Sequence, residues 1–181
     1  MSTTATTLQP LDAALFEEML APYKPHCRYL LEATVESPGD EPLLAHDGTA
    51  TLLRARGTYA IPEPCYIDST GHLNAVEVNI CYNQLLYVIL GQAVAKGLVS
   101  ELGVFSLDHY RERRLPDVLI YHVDVRFRQV IDSSSFQGEL SITRATDARR
   151  SVKLETHLCF WDADGGEASG DISIAILKPA S

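Results

Sequence analysis

The sequence predicts an α+β fold in which a curved antiparallel sheet wraps around one long central helix. Three observations carry that expectation. The run from Leu73 to Val94 is apolar around nearly its whole circumference and is ended by Gly97. A helix that is apolar on every side is buried rather than laid on a surface. The chain beyond Pro116 then carries strand-like runs in succession with no helix between them, which argues against a parallel, alternating helix–strand topology. At 181 residues the chain is also long enough for one domain with a sizeable core.

The elements follow in order. Residues 1–10 are polar, rich in Thr and closed by Pro10, and read as a disordered lead-in to a single domain over 11–181. Leu11, Leu15, Phe16, Met19 and Leu20 recur at helical spacing until Pro22 and Pro25. Arg28–Val35 reads as a strand followed by the turn residues Ser37-Pro38-Gly39-Asp40, and Thr49–Tyr59 as a second, broken by Pro62 and Pro64. After the long helix, Ser106–Arg114 reads as a short polar helix ended by Pro116. Val118–Val130 is the next strand. Phe136–Arg144 alternates, with Phe136, Gly138, Leu140 and Ile142 on one face and Gln137, Glu139, Ser141 and Thr143 on the other. Val152–Trp161 alternates too, Gly165-Gly166 signals a hairpin, and Ile172–Leu177 closes the chain. One helix against such a sheet is the simplest packing of these pieces. It is the hotdog arrangement.

Composition narrows the function. A net charge of −9 repels phosphate and anionic lipid, so neither nucleic acid nor a membrane surface is an expected partner. The N-terminus shows no basic and apolar signal pattern, and no run approaches the roughly 20 uninterrupted apolar residues of a membrane span. A cytoplasmic location is the expectation. Cys27, Cys65, Cys81 and Cys159 form no CxxC pair and are expected to be reduced, small buried groups, with Cys65 in a loop-like stretch the one candidate for covalent chemistry. There is no GxSxG and no HExxH, so neither a nucleophile elbow nor a metal is called for.

The central helix carries polar residues that an all-apolar helix has no use for: Glu77, Asn79, Asn83 and Gln84, with Asn74 at its start. A buried carboxylate is costly unless paired or hydrogen-bonded. Asn74 and Glu77 share one face, and Asn83 and Tyr87 another. Core hydrogen bonds or dimer contacts account for Asn79 and Gln84; the other four are site candidates. The helix start offers free N–H groups and a partial positive charge, which polarise a carbonyl or hold an oxyanion. Gly71 permits close approach, His72 is a proton-transfer candidate, and Ser69 and Thr70 either line a site or cap the helix. Arg126 and Arg128, two apart, share a strand face, where they are either solvated at an edge or anchors for an anion.

The stretch Tyr66-Ile67-Asp68-Ser69-Thr70-Gly71-His72-Leu73-Asn74-Ala75-Val76-Glu77, followed by Cys81-Tyr82-Asn83-Gln84-Leu85-Leu86-Tyr87, resembles the hotdog family of type III fatty acyl-CoA thioesterase-like proteins. That family includes the (2E)-enoyl-acyl carrier protein glycine-adding enzymes of isonitrile lipopeptide biosynthesis. Cys27-Arg28-Tyr29-Leu30, Arg126-Phe127-Arg128, Phe160-Trp161-Asp162, Gly165-Gly166 and Ala168-Ser169-Gly170 add to the resemblance, which spans most of the chain after about Leu20. It implies a homo-oligomeric enzyme acting on acyl thioesters, with Tyr66, His72, Asn74, Glu77, Asn83 and Tyr87 as site residues.

The leading expectation is conjugate addition of glycine to the β-carbon of a 2-enoyl thioester on acyl carrier protein or coenzyme A, without a cofactor. Either Glu77 or His72 serves as base. The helix start and the Asn74 amide face the enolate oxygen, and Arg126, Arg128, Tyr66 or His72 holds the glycine carboxylate. Thioester hydrolysis is the alternative, with a non-catalytic acyl-binding module a third. A carrier protein is acidic, so docking calls for a basic patch, for which Arg111, Arg113 and Arg114, or Arg149 and Arg150, are the candidates. Exposed sheet edges predict at least a dimer.

Overall fold

A computed structural model describes residues 7–179. Its first strand comes from inside the expected lead-in, which corrects that boundary. β1 (Thr7–Gln9) pairs antiparallel with β2 (Leu30–Ser37), Gln9 opposite Val35. The rest of the lead-in, residues 1–6, lies outside the described residues. The further elements are α1 (Ala13–Leu20), β3 (Leu53–Tyr59), α2 (Ala75–Lys96), α3 (Leu107–Asp117), β4 (Val118–Gln129), β5 (Phe136–Asp147), β6 (Ser151–Trp161) and β7 (Glu167–Leu177). The strands make one seven-stranded sheet in the order β1-β2-β3-β5-β6-β7-β4, with every pairing antiparallel. The expected hotdog architecture is present: the sheet curves around α2.

α2 is the core of the molecule. From Cys81 to Ala93 every residue except Asn83 is buried. By length and composition α2 would pass for a membrane span, at a mean hydropathy of 1.2, yet 72% of that window is buried inside the protein. Gly97 ends it in the left-handed region at φ 63°, a conformation that costs glycine little. α1 crosses it where Gly91 makes room: an added Cβ would lie 2.8 Å from the Met19 sulfur. α3 runs to Asp117, three residues beyond the expected last residue Arg114. Pro116 sits in its last turn, where Val118 N–H still closes onto the Arg114 carbonyl.

The inner sheet face packs Tyr59, Phe136 and Phe160 as one aromatic cluster, with Tyr59 and Phe136 stacked at 5.1 Å and Phe160 edge-on to both. Gly57 and Gly138 face each other across β3 and β5 to admit these rings. The outer face is not left to water. Residues 43–47 fold over it, with His46 stacked on Trp161 at 5.5 Å and Asp47 3.7 Å from His157. Beside this cover lies the buried Glu139, paired with Arg56 at 2.9 Å.

β4 is the sheet edge, paired only with β7. Leu119, Tyr121, Val123 and Phe127 are exposed along it.

An added methyl at Gly138 would sit 2.4 Å from Phe160 Cε1 with no slack nearby. Gly138→Ala is therefore expected to destabilise the fold by about 1–3 kcal/mol, read as a lower urea midpoint with an unchanged slope.

Candidate active site

The start of α2 is closed by a reciprocal pair of side chains. Asn74 is the N-cap, and its Oδ1 accepts from the Val76 and Glu77 N–H groups at 3.0 and 3.3 Å. Glu77 Oε2 accepts from the Asn74 N–H at 3.0 Å. This capping box satisfies the N–H donors of Asn74, Val76 and Glu77. It answers how Glu77, fully buried, is tolerated: one oxygen is bonded and the charge sits at the positive end of the helix. Among the described residues, Glu77 Oε1 has no hydrogen-bond partner. Asn74 Oδ1 also accepts from the Tyr66 hydroxyl at 2.8 Å, so three of the expected site residues meet here.

The loop into the helix is held by its own polar groups. Ser69 Oγ accepts from Gly71 N–H at 3.2 Å, and Thr70 Oγ1 donates to the His72 carbonyl at 3.0 Å. Ser69 and Thr70 thus shape the loop, and neither caps the helix. Gly71 takes φ 74° with open space where a Cβ would be, so the backbone turn is what requires glycine there. His72 Nδ1 lies 3.1 Å from the Thr70 carbonyl. A carbonyl only accepts, so Nδ1 carries the proton and Nε2 keeps its lone pair.

His72, Leu73, Asn74 and Ala75 form one wall of a cleft of about 420 Å3, and Phe127, Arg128, Gln129 and Val130 form the other. The two walls are tied together. Leu73 N–H donates to the Ile131 carbonyl at 3.0 Å, and His72 bridges to Asp132. Asp132 N–H in turn donates to Asp162 at 2.7 Å, and Gly166 and Asp164 N–H groups hold the other oxygen of that carboxylate at 2.8 and 2.9 Å.

Several expected residues lie elsewhere. Asn83 and Tyr87 are 9 and 13 residues past the N-cap, about 14 and 20 Å along the helix. They share the α2 face with Val76 and Ile80, and neither lines the cleft. Burial pushes the Tyr87 hydroxyl pKa up, and Tyr23 packs 6.2 Å from its ring. Arg126 is opposite Ser169, on the outer face, 3.8 Å from Asp124. Arg128 falls at a bulge in β4; it lines the cleft, but its guanidinium pairs with Glu167 at 3.0 Å. Both arginines are largely exposed, and of the two only Arg128 lines the cleft.

The helix start as a ready oxyanion site is likewise narrowed. Asn74, Val76 and Glu77 N–H groups are engaged, which leaves the Ala75 N–H and the Asn74 Nδ2 amide on the cleft wall. The expected basic patch on α3 is neutralised. Arg111 pairs with Glu18 and Asp108, Arg113 with Asp117, and Arg114 is buried against backbone carbonyls. Phe127, Gln129, Asp132 and Asp162 were not foreseen as site residues, because their contacts with the helix start are made across more than 50 residues of chain or between strand ends, where no local spacing reports them.

A tied helix start opening onto a cleft fits an acyl-thioester enzyme. The chain belongs to the family of the FcoT-like thioesterase domain, whose model matches residues 18–176. It is 40% identical over 172 residues to a Streptomyces coeruleorubidus protein named (2E)-enoyl-[ACP] glycyltransferase, covering 92% of this chain and 98% of that one. Proteins of the same name from Mycobacterium marinum and Mycobacterium bovis are 35% and 34% identical, over 91% and 93% of this chain and 85% and 88% of theirs. Among solved structures, a thioesterase family protein from Silicibacter pomeroyi is similar at a TM-score of 0.42 and 12% identity, over 92% of this chain and 98% of that one.

Two outcomes are expected at the helix start. Asn74→Ala removes the cap and lowers stability by about 1 kcal/mol, whereas Asn74→Asp retains most of it, checked by chemical denaturation. The N–H donors of Asp132 and Gly166 hold the Asp162 carboxyl below its usual 3.8. Its stabilisation is present above that value and is lost as pH falls through the lower folded value. Asp162→Asn is therefore expected to be less stable near neutrality and to lose less on acidification below pH 3.8 than the parent chain, read from thermal melts across pH.

Proposed function

We propose that the chain adds glycine to the β-carbon of a (2E)-enoyl thioester carried on acyl carrier protein, giving a β-(carboxymethyl)amino acyl thioester. The observation that carries this reading is His72 at the mouth of the cleft, with Nδ1 committed to the Thr70 carbonyl and Nε2 free to take a proton. The names of relatives at 34–40% identity over most of the chain support the substrate.

The chemistry balances as follows. The glycine nitrogen forms a bond to the β-carbon while the α,β double bond becomes an enolate. His72 Nε2 takes the proton that the amine loses and gives it to the α-carbon, which restores the thioester and frees the imidazole. The Ala75 N–H and the Asn74 amide face the enolate oxygen, and the positive end of α2 stabilises it. Glu77 is buried behind the cap rather than on the cleft, so its part is to hold Asn74 in place. Tyr66 steadies the same Asn74 from outside. Arg128, the one arginine among the described cleft residues, exchanges Glu167 for the glycine carboxylate. No step calls for a metal or a redox cofactor.

The reading includes assembly as at least a dimer. The open hydrogen-bonding edge of β4 and the apolar side chains along it support this, since an unpaired long edge invites a second strand. A cytoplasmic setting agrees with four unpaired cysteines.

Mass spectrometry of a 2-enoyl acyl carrier protein incubated with the enzyme, with and without glycine, tests the reaction. The expected result is a gain of one glycine with the thioester intact, slowed about 10²–10⁴-fold by His72→Ala. Release of free acid regardless of glycine would establish hydrolysis instead. No change in mass would leave only acyl binding.

A further inference from the structure

The outer sheet face carries a strap that the proposed reaction does not use. Residues 43–51 form a small hairpin: the Ala45 N–H donates to the Thr49 carbonyl at 2.8 Å and the Thr51 N–H to the Leu43 carbonyl at 2.9 Å, with Gly48 in the turn at φ 87°. Leu43 and Ala45 are buried, yet they stand apart from the core around α2. A segment with its own small apolar contact is free to open locally while the core stays folded.

Three contacts place the strap. The Leu44 carbonyl accepts from Arg54 Nη1 on β3 at 2.5 Å, His46 stacks on Trp161 of β6 at 5.5 Å, and Asp47 faces His157 of β6. β5 lies between β3 and β6 in the sheet, so the strap crosses it. At that crossing is Ser141, directly opposite both Arg54 and His157 and fully buried. Ser141 Oγ has no hydrogen-bond partner among the described residues, and neither has Oε1 of the buried Glu139 two residues away. Water would satisfy such groups on opening, so the closed strap has to be held against that gain.

We propose that the 43–51 hairpin is a pH-sensitive strap, clamped to the sheet by the charge on His157 and opening as His157 loses its proton. The inference is independent of the glycine-addition reading. His157 Nδ1 lies 2.9 Å from Asp171 Oδ1 on β7 and 3.7 Å from Asp47 Oδ2 on the strap. Among the described residues it is the one basic group within 4 Å of either carboxylate. The two contacts respond differently to its charge. A neutral ring with its proton on Nδ1 still donates to Asp171, whereas Asp47 is beyond hydrogen-bond distance and is held by charge alone. Once that charge is gone, Asp47 meets Asp171 as a like charge. The other charged groups around His157 are already engaged. Glu155, two residues back on β6, takes the Tyr121 and Ser173 hydroxyls, Glu139 takes Arg56, and Arg54 takes Glu36. Asp124, opposite Asp171 on β4, has Arg126 at 3.8 Å. Burial raises the Asp47 carboxyl, but the Thr49 N–H and hydroxyl with His157 outweigh it and hold the group below its usual 3.8. Asp47 is therefore charged throughout the range in which histidine titrates.

Hydrogen–deuterium exchange of the full-length chain, corrected for the intrinsic pH dependence of exchange, tests this at about pH 5.5 and about pH 8.5, on either side of histidine titration. Peptides over 43–51 are expected to lose protection about 2–5-fold at the higher pH, the factor that a partly exposed ion pair supplies, while peptides from α2 do not change. In His157→Gln and Asp47→Asn the strap is expected to exchange at the faster rate at both pH values. Both variants keep the local hydrogen bonding, since Gln donates to Asp171 and Asn accepts from the Thr49 N–H. Trp161 is the only tryptophan and stacks on His46, so its emission is expected to change with pH in the parent chain and not in His157→Gln. Equal strap protection at the two pH values in the parent chain would overturn the proposal. So would a pH response that survives intact in His157→Gln, which would assign the titration to His46.

Discussion

The structure depends on putting a carboxylate inside without leaving it stranded. Glu77 sits at the third position of a helix that the sheet encloses, and it is fully buried. Its bond to the Asn74 N–H, with the return bonds from Asn74 Oδ1 to the Val76 and Glu77 N–H groups, satisfies three donors at the start of α2. The same box sets the direction of the chain entering the helix. His72 comes to the cleft because the cap, with the Tyr66 hydroxyl bonded to Asn74, fixes where that loop must arrive.

A second set of hydrogen bonds fixes the opposite wall. The Asp162 carboxylate collects N–H groups from its own hairpin and from Asp132, and Asp132 bridges to His72. Gly166 makes that crowding possible, since a Cβ there would lie 2.3 Å from the Val130 carbonyl. The cleft is thus bounded by the capped helix start on one side and the end of the edge strand β4 on the other, each held through backbone groups. A site built this way has few flexible side chains to order, which favours a reaction that relies on positioning.

Much of this was legible in the sequence for stated reasons. The all-round apolar helix with Gly97 behind it announced a central helix, and Asn74 with Glu77 three residues later is a capping-box pattern as well as a site pattern. In the structure Asn74 and Glu77 close the cap on each other, and His72 Nδ1 is held at the Thr70 carbonyl. What the sequence did not show is long-range. The bulge at Arg128 and the outward register of Arg126 depend on pairing with β7, and the cover over His157 and Trp161 depends on a loop more than 100 residues away. Local alternation placed Arg126 and Arg128 on one face without saying which way that face looked. The polar residues of α2 likewise divided only once the sheet was in place: Gln84 became a core clasp, while Asn83 and Tyr87 ended on the same helix face well down from the cap.

The proposed reaction places the reacting centre at the capped start of α2, with His72 Nε2 as the proton acceptor. A crystal structure with a non-hydrolysable amide analogue of the β-(carboxymethyl)amino acyl thioester tests it most directly. The secondary amine is expected within hydrogen-bond reach of His72 Nε2, and the acyl carbonyl oxygen facing Ala75 N–H and the Asn74 amide. An analogue bound with its amine away from His72, or seated outside the cleft between α2 and β4, would contradict it.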